Sequence, residues 1–429
     1  MHIYVVQKDD TLEYIAARFR LDPDAIAKKN ELTNKDQLVV GQTIMIPMAG
    51  FYHFIEEGES LYKLSNVYNI PLFELFSLNE LSSKDSLPLG YLVYIPRRGK
   101  NIIETSAYND ISIDKKDSAE IIQNIGDNLT NVPIFSYQVK RDGSLSELND
   151  NPSIISALSM EVAPLLVLTN IEDNQFSQEL ATTILNDEAL QDKLLDEALR
   201  IMKEKGYFGL DIDFEYLGAI NKESYVTFLE KAKRKLKESN PNYSLSVALP
   251  PKTSKNQKGV LYEGHDYEAI GEVVDKVLLM TYEWGWSGGP PMAVSPLNKV
   301  KEVMEYALET IPKEKILMGV PLYGYDWTLP YEKGGKWAKA IDQTKAYELA
   351  YEYGANIEYD EVAQSPHFMY VDEEKNEHEV WFEDARSYQA KFEYINQIDI
   401  AGMYNWVLGF KSPQNWLVLQ EYFIPIKLF

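Results

Sequence analysis

The chain has 429 residues, 45% of them hydrophobic, and its formal net charge is −24. This length accommodates two or three domains. The acidic balance disfavours binding to nucleic acid or to an anionic membrane surface, because both require clustered Lys and Arg. Without cysteine, the chain can form no disulfide, no thiolate zinc site and no catalytic thiol.

The amino terminus and the histidines exclude further classes. "MHIYVVQKDDTLEY" has no basic n-region, no long apolar segment and no small-residue cleavage site, so we expect no secretory signal. No apolar run approaches the roughly 18 residues of a membrane span, which predicts a protein made in the cytoplasm without membrane insertion. The five histidines show no metal-ligand spacing such as HExxH, and we expect neither a metal nor another cofactor.

A gap-free internal repeat occupies the first part of the chain. A segment beginning "YVVQKDDTL" aligns with one beginning "HFIEEGESL", and aligned residues lie 49 positions apart (60 − 11). The pairs that identify the repeat are Thr11 and Ser60, Asn30 and Asn79, Gly41 and Gly90, and Pro47 and Pro96. Each copy predicts the order strand, helix, helix, strand, because β-branched runs flank two stretches of helical periodicity. Units this small bury a small core, so we expect binding modules.

The two copies, residues 2–48 and 51–97, resemble the LysM family of glycan-binding modules. The resemblance rests on the turns "DDTL" and "GESL", the Asn after the second helix, and the endings "GQTIMIP" and "GYLVYIP". It implies binding of N-acetylglucosamine-containing glycans between the first turn and the loop after the second helix. The implied ligand residues are Asp10, Thr11, Leu12 and Asn30, and Glu59, Ser60, Leu61 and Asn79. Helix capping or a turn role remains the alternative for the Thr, Ser and Asn residues.

The remainder, residues 101–429, follows the short polar joint "RRGK" and alternates strand-like segments with amphipathic helical ones such as "ALQDKLLDEALRIMKEKG". Strand candidates lie at 102–109, 131–139, 163–170, 207–216, 243–250, 274–284, 315–327 and 400–408. This alternation predicts an α/β fold, a (β/α)8 TIM barrel. Residues from about 328 to 390 predict antiparallel hairpins, in a small α+β insertion before the last strand.

The segment "GLDIDFE" places a carboxylate at every second residue of the fourth predicted strand. Asp211, Asp213 and Glu215 then share one face, and apolar residues share the other. The apolar face suits the surrounding helices, so the acids must point into the barrel, with Glu215 at the C-terminal mouth. Confined like charges raise at least one pKa, which predicts Glu215 as a general acid tuned by Asp213 and Asp211.

Two alternatives compete with catalysis at this segment. A solvated surface strand is disfavoured by the apolar second face. A Mg²⁺ or Ca²⁺ site is disfavoured because hard cations usually draw ligands from several elements.

The same segment resembles the DGxDxDxE signature of family 18 glycoside hydrolases, which are chitinase-like (β/α)8 enzymes. Phe208 replaces the first Asp on the outward face, so we expect the change to affect packing rather than chemistry. "LMTYEW", "GVPLYGYDW" and "MYNWVL" resemble further family elements. They imply Met280, Tyr282 and Trp406 as site residues, while Glu283 stands where chitinases usually carry Asp.

The resemblance implies retaining hydrolysis assisted by the substrate. The acetamido oxygen attacks the anomeric carbon, while Glu215 protonates the leaving oxygen and then activates water. Asp213 holds the acetamido N–H, with Asp211 behind it. Tyr282 donates to the acetamido oxygen, and Trp406 stacks under the sugar. This chemistry requires an N-acetylated sugar, for which chitin and peptidoglycan are the candidates.

Tandem LysM units, a family 18 barrel, and the lack of a signal and of cysteine together resemble the spore-associated peptidoglycan hydrolases of endospore formers. They imply an N-acetylglucosaminidase that acts on cortex or its fragments during germination, located in the spore coat or cortex or in the cell wall. The alternatives are a chitinase or chito-oligosaccharide hydrolase, an inactive glycan-binding lectin, and a coat scaffold with incidental activity. Glu215 disfavours the lectin, because such lectins usually lose this acid.

Overall fold

The computed structural model describes residues 1–32, 34–82, 87–96, 99–112 and 118–429. The chain divides into two compact units, residues 1–100 and 101–429. The first two residues of the predicted joint "RRGK", and with them the predicted end of the second LysM module at 97, lie outside the described residues. Within the described ranges, no helix is both long enough and apolar enough to cross a membrane.

The smaller unit contains the same βααβ arrangement twice, as predicted. In each copy the two strands pair antiparallel, and each copy has its own aliphatic core. The first copy consists of His2–Val5, Leu12–Phe19, Pro23–Lys29 and Thr43–Ile46. The second consists of Gly50–Phe54, Leu61–Val67, Leu72–Leu78 and Leu92–Pro96.

Side-chain caps determine where three of these short helices begin. Thr11 and Ser60 each precede a first helix, and each hydroxyl oxygen accepts from the backbone N–H three residues later, at 3.1 and 3.3 Å. The carboxylate of Asp22 caps the second helix of the first copy by accepting from the backbone N–H of Asp24 at 3.0 Å. Caps of this kind stabilise a helix by about 1 kcal/mol each.

Eight parallel strands close into a barrel in the larger unit, which confirms the predicted (β/α)8 fold. In chain order, barrel strands one to eight are Asn101–Ala107, Asn131–Gln138, Ala163–Thr169, Gly209–Asp213, Ser244–Leu249, Lys276–Leu279, Ile316–Pro321 and Gly402–Trp406. Each pairs with the next, and strand one pairs with both strand two and strand eight. Strands four and six are shorter than predicted, because their last residues leave the sheet and form the barrel mouth.

Helices and short strands surround the barrel. The α-helices are Ser118–Ile125, Asn151–Ser159, Gln178–Leu185, Glu188–Lys205, Lys222–Ser239, Val260–Glu263, Tyr267–Val273, Leu297–Thr310, Ala385–Ile398 and Pro413–Tyr422. The 3₁₀ turns are Gly126–Asn128, Ala219–Asn221 and Lys313–Lys315. The short strands are Asn109–Asp110, Ile171–Glu172, Gln175–Phe176 and Phe423–Pro425.

The apolar face around strand four packs outward, as its alternation predicts. Phe214 stacks on Tyr225 and Phe228 of a flanking helix, with ring centroids 6.2 and 5.9 Å apart. Phe208 stacks on Phe429 at 4.5 Å. The residue that departs from the family signature therefore contributes to packing.

A five-stranded antiparallel sheet lies between barrel strands seven and eight. In sheet order its strands are Lys339–Asp342, Tyr323–Thr328, Glu377–Trp381, Ser365–Val371 and Glu358–Asp360, and the helix Gln343–Glu352 accompanies them. The sequence predicted one strand over 315–327, but strand seven ends at Pro321 and the insertion begins at Tyr323. The prediction of a single strand was wrong because both observed strands lie in one continuous run of apolar and aromatic residues.

Candidate active site

Strand four and the residues after it hold the three acids in a row. Asp211 is fully buried, Asp213 is 5% exposed and Glu215 is partly exposed, so burial decreases towards the mouth. The strand ends before Glu215, and the side chain of Asn170 holds this residue instead. Asn170 accepts from the backbone N–H of Glu215 and donates to its carbonyl, both at 2.9 Å. Glu215 is thus fixed as though the strand continued.

Asp211 is the innermost acid, and two hydroxyl groups hold it. The phenol of Tyr108 donates to Oδ2 at 2.5 Å, and the hydroxyl of Ser246 donates to Oδ1 at 2.6 Å. Burial raises the pKa of Asp211 to about 6, and the two hydrogen bonds oppose this rise. The sequence analysis missed both donors. Ser246 could have been found, because it is a polar residue inside a buried strand.

Asp213 is the middle acid, and one of its oxygens is unsatisfied. Oδ1 is buried and has no hydrogen-bond partner among the described residues. Burial, followed by the charges of Glu215 and Asp211, raises the pKa of Asp213 well above its usual value. Leaving a buried acceptor unpaired costs about 1–3 kcal/mol. This oxygen therefore offers a ready position for the N–H or O–H group of a ligand.

Glu215 has the pKa that an acid–base residue needs. Burial, followed by the negative charge of Glu283, raises the pKa of Glu215 to about 7. Repulsion between Asp213 and Glu215 disfavours ionisation of both carboxyl groups at once, so the two acids titrate as a pair. Glu283 is thus a further carboxylate that acts on Glu215, and the predicted tuning by Asp213 and Asp211 stays a prediction. A carboxyl group with a pKa near neutrality can donate and then accept a proton.

Glu283 is held in place by the insertion. Its Oε1 accepts hydrogen bonds from the phenols of Tyr323, at 2.5 Å, and Tyr325, at 2.9 Å. The side chain opens to the cavity although protein surrounds most of the carboxylate, and this dehydration raises the pKa of Glu283 against the effect of the two phenols. The sequence analysis missed both tyrosines, although their spacing in "YGY" places them on one face of a strand.

A cavity of about 410 Å³ opens above these acids. Its walls include every barrel residue predicted for the site except the deeper Asp211: Asp213, Glu215, Met280, Tyr282, Glu283 and Trp406. Aromatic residues that the sequence analysis missed complete the walls: Tyr108, Phe135, Phe176, Tyr216, Tyr262 and Trp286. Aromatic faces beside carboxyl groups suit a ligand with both apolar ring faces and hydroxyl groups.

The two predicted aromatic residues are well supported in this cavity. The hydroxyl of Tyr282 lies 3.2 Å from that of Tyr404. Trp406, at the end of barrel strand eight, packs edge-on against Tyr108 and Phe135, with ring centroids 5.3 and 5.2 Å apart. These contacts fix the orientation of both side chains before any ligand binds.

Known families account for both units. Glycosyl hydrolases family 18 matches residues 109–410, and the LysM domain matches residues 4–47 and 53–96. The chain belongs to glycosyl hydrolase family 18. It is therefore a glycoside hydrolase with two LysM domains, and substrate-assisted hydrolysis is typical of its family.

Similar proteins share the whole architecture. The cortical fragment-lytic enzyme of Bacillus subtilis (strain 168) is 44% identical over 434 aligned residues, covering 100% of this chain and 99% of that enzyme. The enzyme of the same description from Bacillus anthracis is 42% identical, covering 99% and 98%. The crystal structure of the Bacillus megaterium spore cortex-lytic enzyme SleL is 42% identical, has a TM-score of 0.91, and covers 100% of this chain and 99% of that one.

The LysM turn residues chiefly hold the turns themselves. Oδ2 of Asp10 accepts from the phenol of Tyr4 and the backbone N–H of Gln7, both at 2.7 Å. In the second domain, Oε2 of Glu59 contacts Nε2 of His53 at 2.6 Å and also accepts from a backbone N–H. Thr11 and Ser60 are the helix caps described above, and both residues are exposed to solvent.

Four side chains predicted to bind ligand make contacts inside the LysM domains, and their ligand role stays a prediction. Leu12 and Leu61 are buried in the two domain cores. Asn30 donates to the carbonyls of Ile26 and Met45 at 2.8 Å and accepts from the N–H of Met45 at 2.7 Å. Asn79 makes the equivalent three bonds in the second domain. Both amides join helix to strand, and their hydrogen-bonding groups are used inside the domain.

Proposed function

We propose that this chain hydrolyses peptidoglycan of the spore cortex, or its fragments, after N-acetylglucosamine, by retaining hydrolysis assisted by the substrate. The observation that carries the proposal is the pairing of two carboxyl groups in one cavity. Asp213 has a buried oxygen that no described residue contacts by a hydrogen bond, and burial and Glu283 raise the pKa of Glu215 beside it to about 7. The full-length similarity to cortical fragment-lytic enzymes supports the choice of substrate.

Each group has a defined task in the proposed reaction. Glu215 donates its proton to the glycosidic oxygen as the bond to the anomeric carbon breaks, and the acetamido oxygen forms the new bond to that carbon. Asp213 accepts the acetamido N–H with its free oxygen and stabilises the positive ring that forms. Water then attacks the anomeric carbon as the bond from that carbon to the acetamido oxygen breaks, and it gives its proton to Glu215, which restores the acid and the acetamido group.

The remaining site residues position the sugar. Trp406 offers an aromatic face to the apolar face of the ring. Tyr282 donates to the acetamido oxygen, and Asp211 supports Asp213 from inside the barrel. Met280 and Glu283 complete the wall of the cavity. An N-acetylated sugar is required because the acetamido oxygen is itself the nucleophile.

The LysM domains supply attachment in this proposal. They bind the N-acetylglucosamine-containing glycan and keep the barrel on an insoluble substrate, so we propose that the protein resides on the cortex, the coat or the cell wall. The contact surface includes the exposed turns around Thr11 and Ser60. Binding of the same polymer by two linked modules increases the effective concentration of the barrel at its substrate.

Mass spectrometry of borohydride-reduced digests of cortex peptidoglycan tests the reaction. The native protein should create new reducing ends at N-acetylglucosamine, and Glu215→Gln should create almost none. Glu268→Gln, on an outer helix, is the control for loss of one carboxylate and should cut normally. Reducing ends at muramic acid would contradict the proposed bond, and full cutting by Glu215→Gln would contradict the proposed acid. Cleavage confined to chitin oligomers would identify a chitinase instead.

A further inference from the structure

Two exposed tryptophans lie together at the rim of the cavity. Trp286 is 43% exposed and Trp337 is 67% exposed, and their ring centroids lie 6.0 Å apart at an interplanar angle of 80°. Trp286 also lines the cavity. Two large aromatic faces left open to water beside an active site are typical of a ligand-binding surface.

The loops that carry these tryptophans are fixed to each other. Trp286 follows barrel strand six, and Trp337 lies between the first two strands of the insertion. The backbone N–H of Ala338 donates to the carbonyl of Ser287 at 2.7 Å. The phenol of Tyr331 donates to the carbonyl of Gly288 at 3.1 Å. The aromatic pair is therefore part of one connected surface.

Gly288 and Gly289 lie directly against the ring of Trp286. A Cβ atom at Gly288 would lie 2.5 Å from the ring, and one at Gly289 would lie 2.4 Å from its Nε1, so neither position has room for a side chain. The indole N–H of Trp327 donates to the carbonyl of Gly289 at 2.9 Å and fixes this turn. Trp286 is thus held in place before a ligand arrives, which limits the entropy lost on binding.

The same rim is basic in a strongly acidic protein. Lys333, Lys336 and Lys339 are exposed on both sides of Trp337 in the sequence, and Glu332 is the one acid among residues 331–340. None of these lysines pairs with a carboxylate within the part of the chain that the structure describes. The chain as a whole has a formal charge of −24. The ammonium of Lys336 donates only to the hydroxyl of Thr328, at 3.5 Å, among the described residues. Exposed ammonium groups in the segment that carries an exposed indole suit a ligand with both sugars and carboxylates.

We propose that residues 331–339 and Trp286 form a second binding surface for the peptide-bearing part of the glycan. The tryptophans stack on a sugar outside the cavity, and the lysines bind free carboxylates of the stem peptides. This inference rests on the proposed function, because peptidoglycan carries stem carboxylates and chitin has none. Each exposed ion pair contributes little and is screened by salt, so the lysines act as a group.

Charge-matched double variants test the surface. Lys333→Gln/Lys336→Gln removes two rim charges, and Lys203→Gln/Lys237→Gln removes two charges near the carboxyl ends of outer helices, one exposed and one half-buried. The value of kcat/KM is measured on cortex glycan fragments that retain their stem peptides and on the same fragments after an amidase has removed the stems. Each measurement is made at low salt and at high salt, and Trp337→Ala is measured in parallel.

The rim double variant should lose about fivefold in kcat/KM on stem-bearing fragments at low salt, as expected for two exposed ion pairs. The loss should vanish on stripped fragments and at high salt, and Trp337→Ala should weaken turnover of both substrates. An equal loss in the rim and control double variants would overturn this inference and leave the proposed function standing. An equal loss of the rim double variant on both substrates would do the same. If the native protein cleaves neither fragment, the proposed function fails, and this inference fails with it.

Discussion

The phenol of Tyr108 donates a hydrogen bond of 2.5 Å to Oδ2 of Asp211, across 103 residues of sequence. It joins the residue that follows barrel strand one to the middle of strand four. Ser246 on strand five donates to the other carboxylate oxygen. A residue after the non-adjacent strand one and a residue on the adjacent strand five thus hold the innermost acid from two sides.

Replacing Tyr108 with Phe should weaken catalysis without unfolding the barrel. The change removes a donor that favours the ionised form, so the pKa of Asp211 should rise further. A hydrogen bond to a charged group contributes about 1.5–3 kcal/mol, so we expect kcat/KM on cortex fragments to fall by roughly tenfold or more. Tyr225→Phe is the matched control, because that buried hydroxyl has no partner among the described residues. An equal loss in both variants would remove the special role of Tyr108.

Asp211 should make the protein less stable as the pH rises. The pKa of Asp211 is about 6 in the folded chain, and the ordinary value of 3.8 applies to the unfolded chain, so the folded state binds the proton more tightly. The resulting stabilisation, about 3 kcal/mol, is fully present below pH 4 and is lost as the pH rises through about 6. Urea unfolding between pH 4 and 7 should show a smaller decrease for Asp211→Asn than for the native protein. Asp173→Asn, in an exposed turn, should retain the native slope.

Glu283→Gln should move the alkaline limb of the pH–rate profile to lower pH. The charge of Glu283 raises the pKa of Glu215, so its removal allows Glu215 to ionise more easily. Glu215 must be protonated to act as an acid, and activity should therefore fall earlier as the pH rises. The measurement is kcat/KM from pH 5 to 9. Glu283→Asp, which keeps the charge, should hold the limb closer to its native position, and an unmoved limb in Glu283→Gln would refute this coupling.

Asn30→Ala should destabilise the first LysM domain more than Thr11→Ala. Asn30 makes three buried hydrogen bonds, so we expect a loss of about 2–4 kcal/mol. Thr11 supplies one exposed helix cap, with a loss of about 1 kcal/mol. Hydrogen exchange of residues 2–48 in the full chain measures both, and cleavage of soluble fragments should not change. Weaker glycan binding by Asn30→Ala with unchanged exchange would support its predicted ligand role.

The row of three acids was predictable because strand periodicity is a local property. Apolar residues alternate with Asp211, Asp213 and Glu215, and only the barrel interior can satisfy both faces at once. The tandem repeat was equally clear, since its aligned residues keep one spacing. The capping roles of Thr11 and Ser60 follow from the residues next to them.

Contacts between distant segments were not predictable in this way. Ser246 faces Asp211 because strands four and five pair in one register, and no local pattern encodes that register. Glu283 affects Glu215 because two tyrosines of the insertion hold its carboxylate. The internal hydrogen bonds of Asn30 could not be predicted either, because a sequence motif does not show which backbone groups an amide reaches.

The side-chain amide of Asn170 fixes the backbone of Glu215. Glu215 extends past its own strand, yet both of its backbone polar groups are held by a side chain that follows barrel strand three. The loop that follows Glu215 can therefore change in length or sequence without moving Glu215. Evolution could reshape the rim for new glycans and keep the proton donor fixed, which separates the range of substrates from the chemistry performed on them.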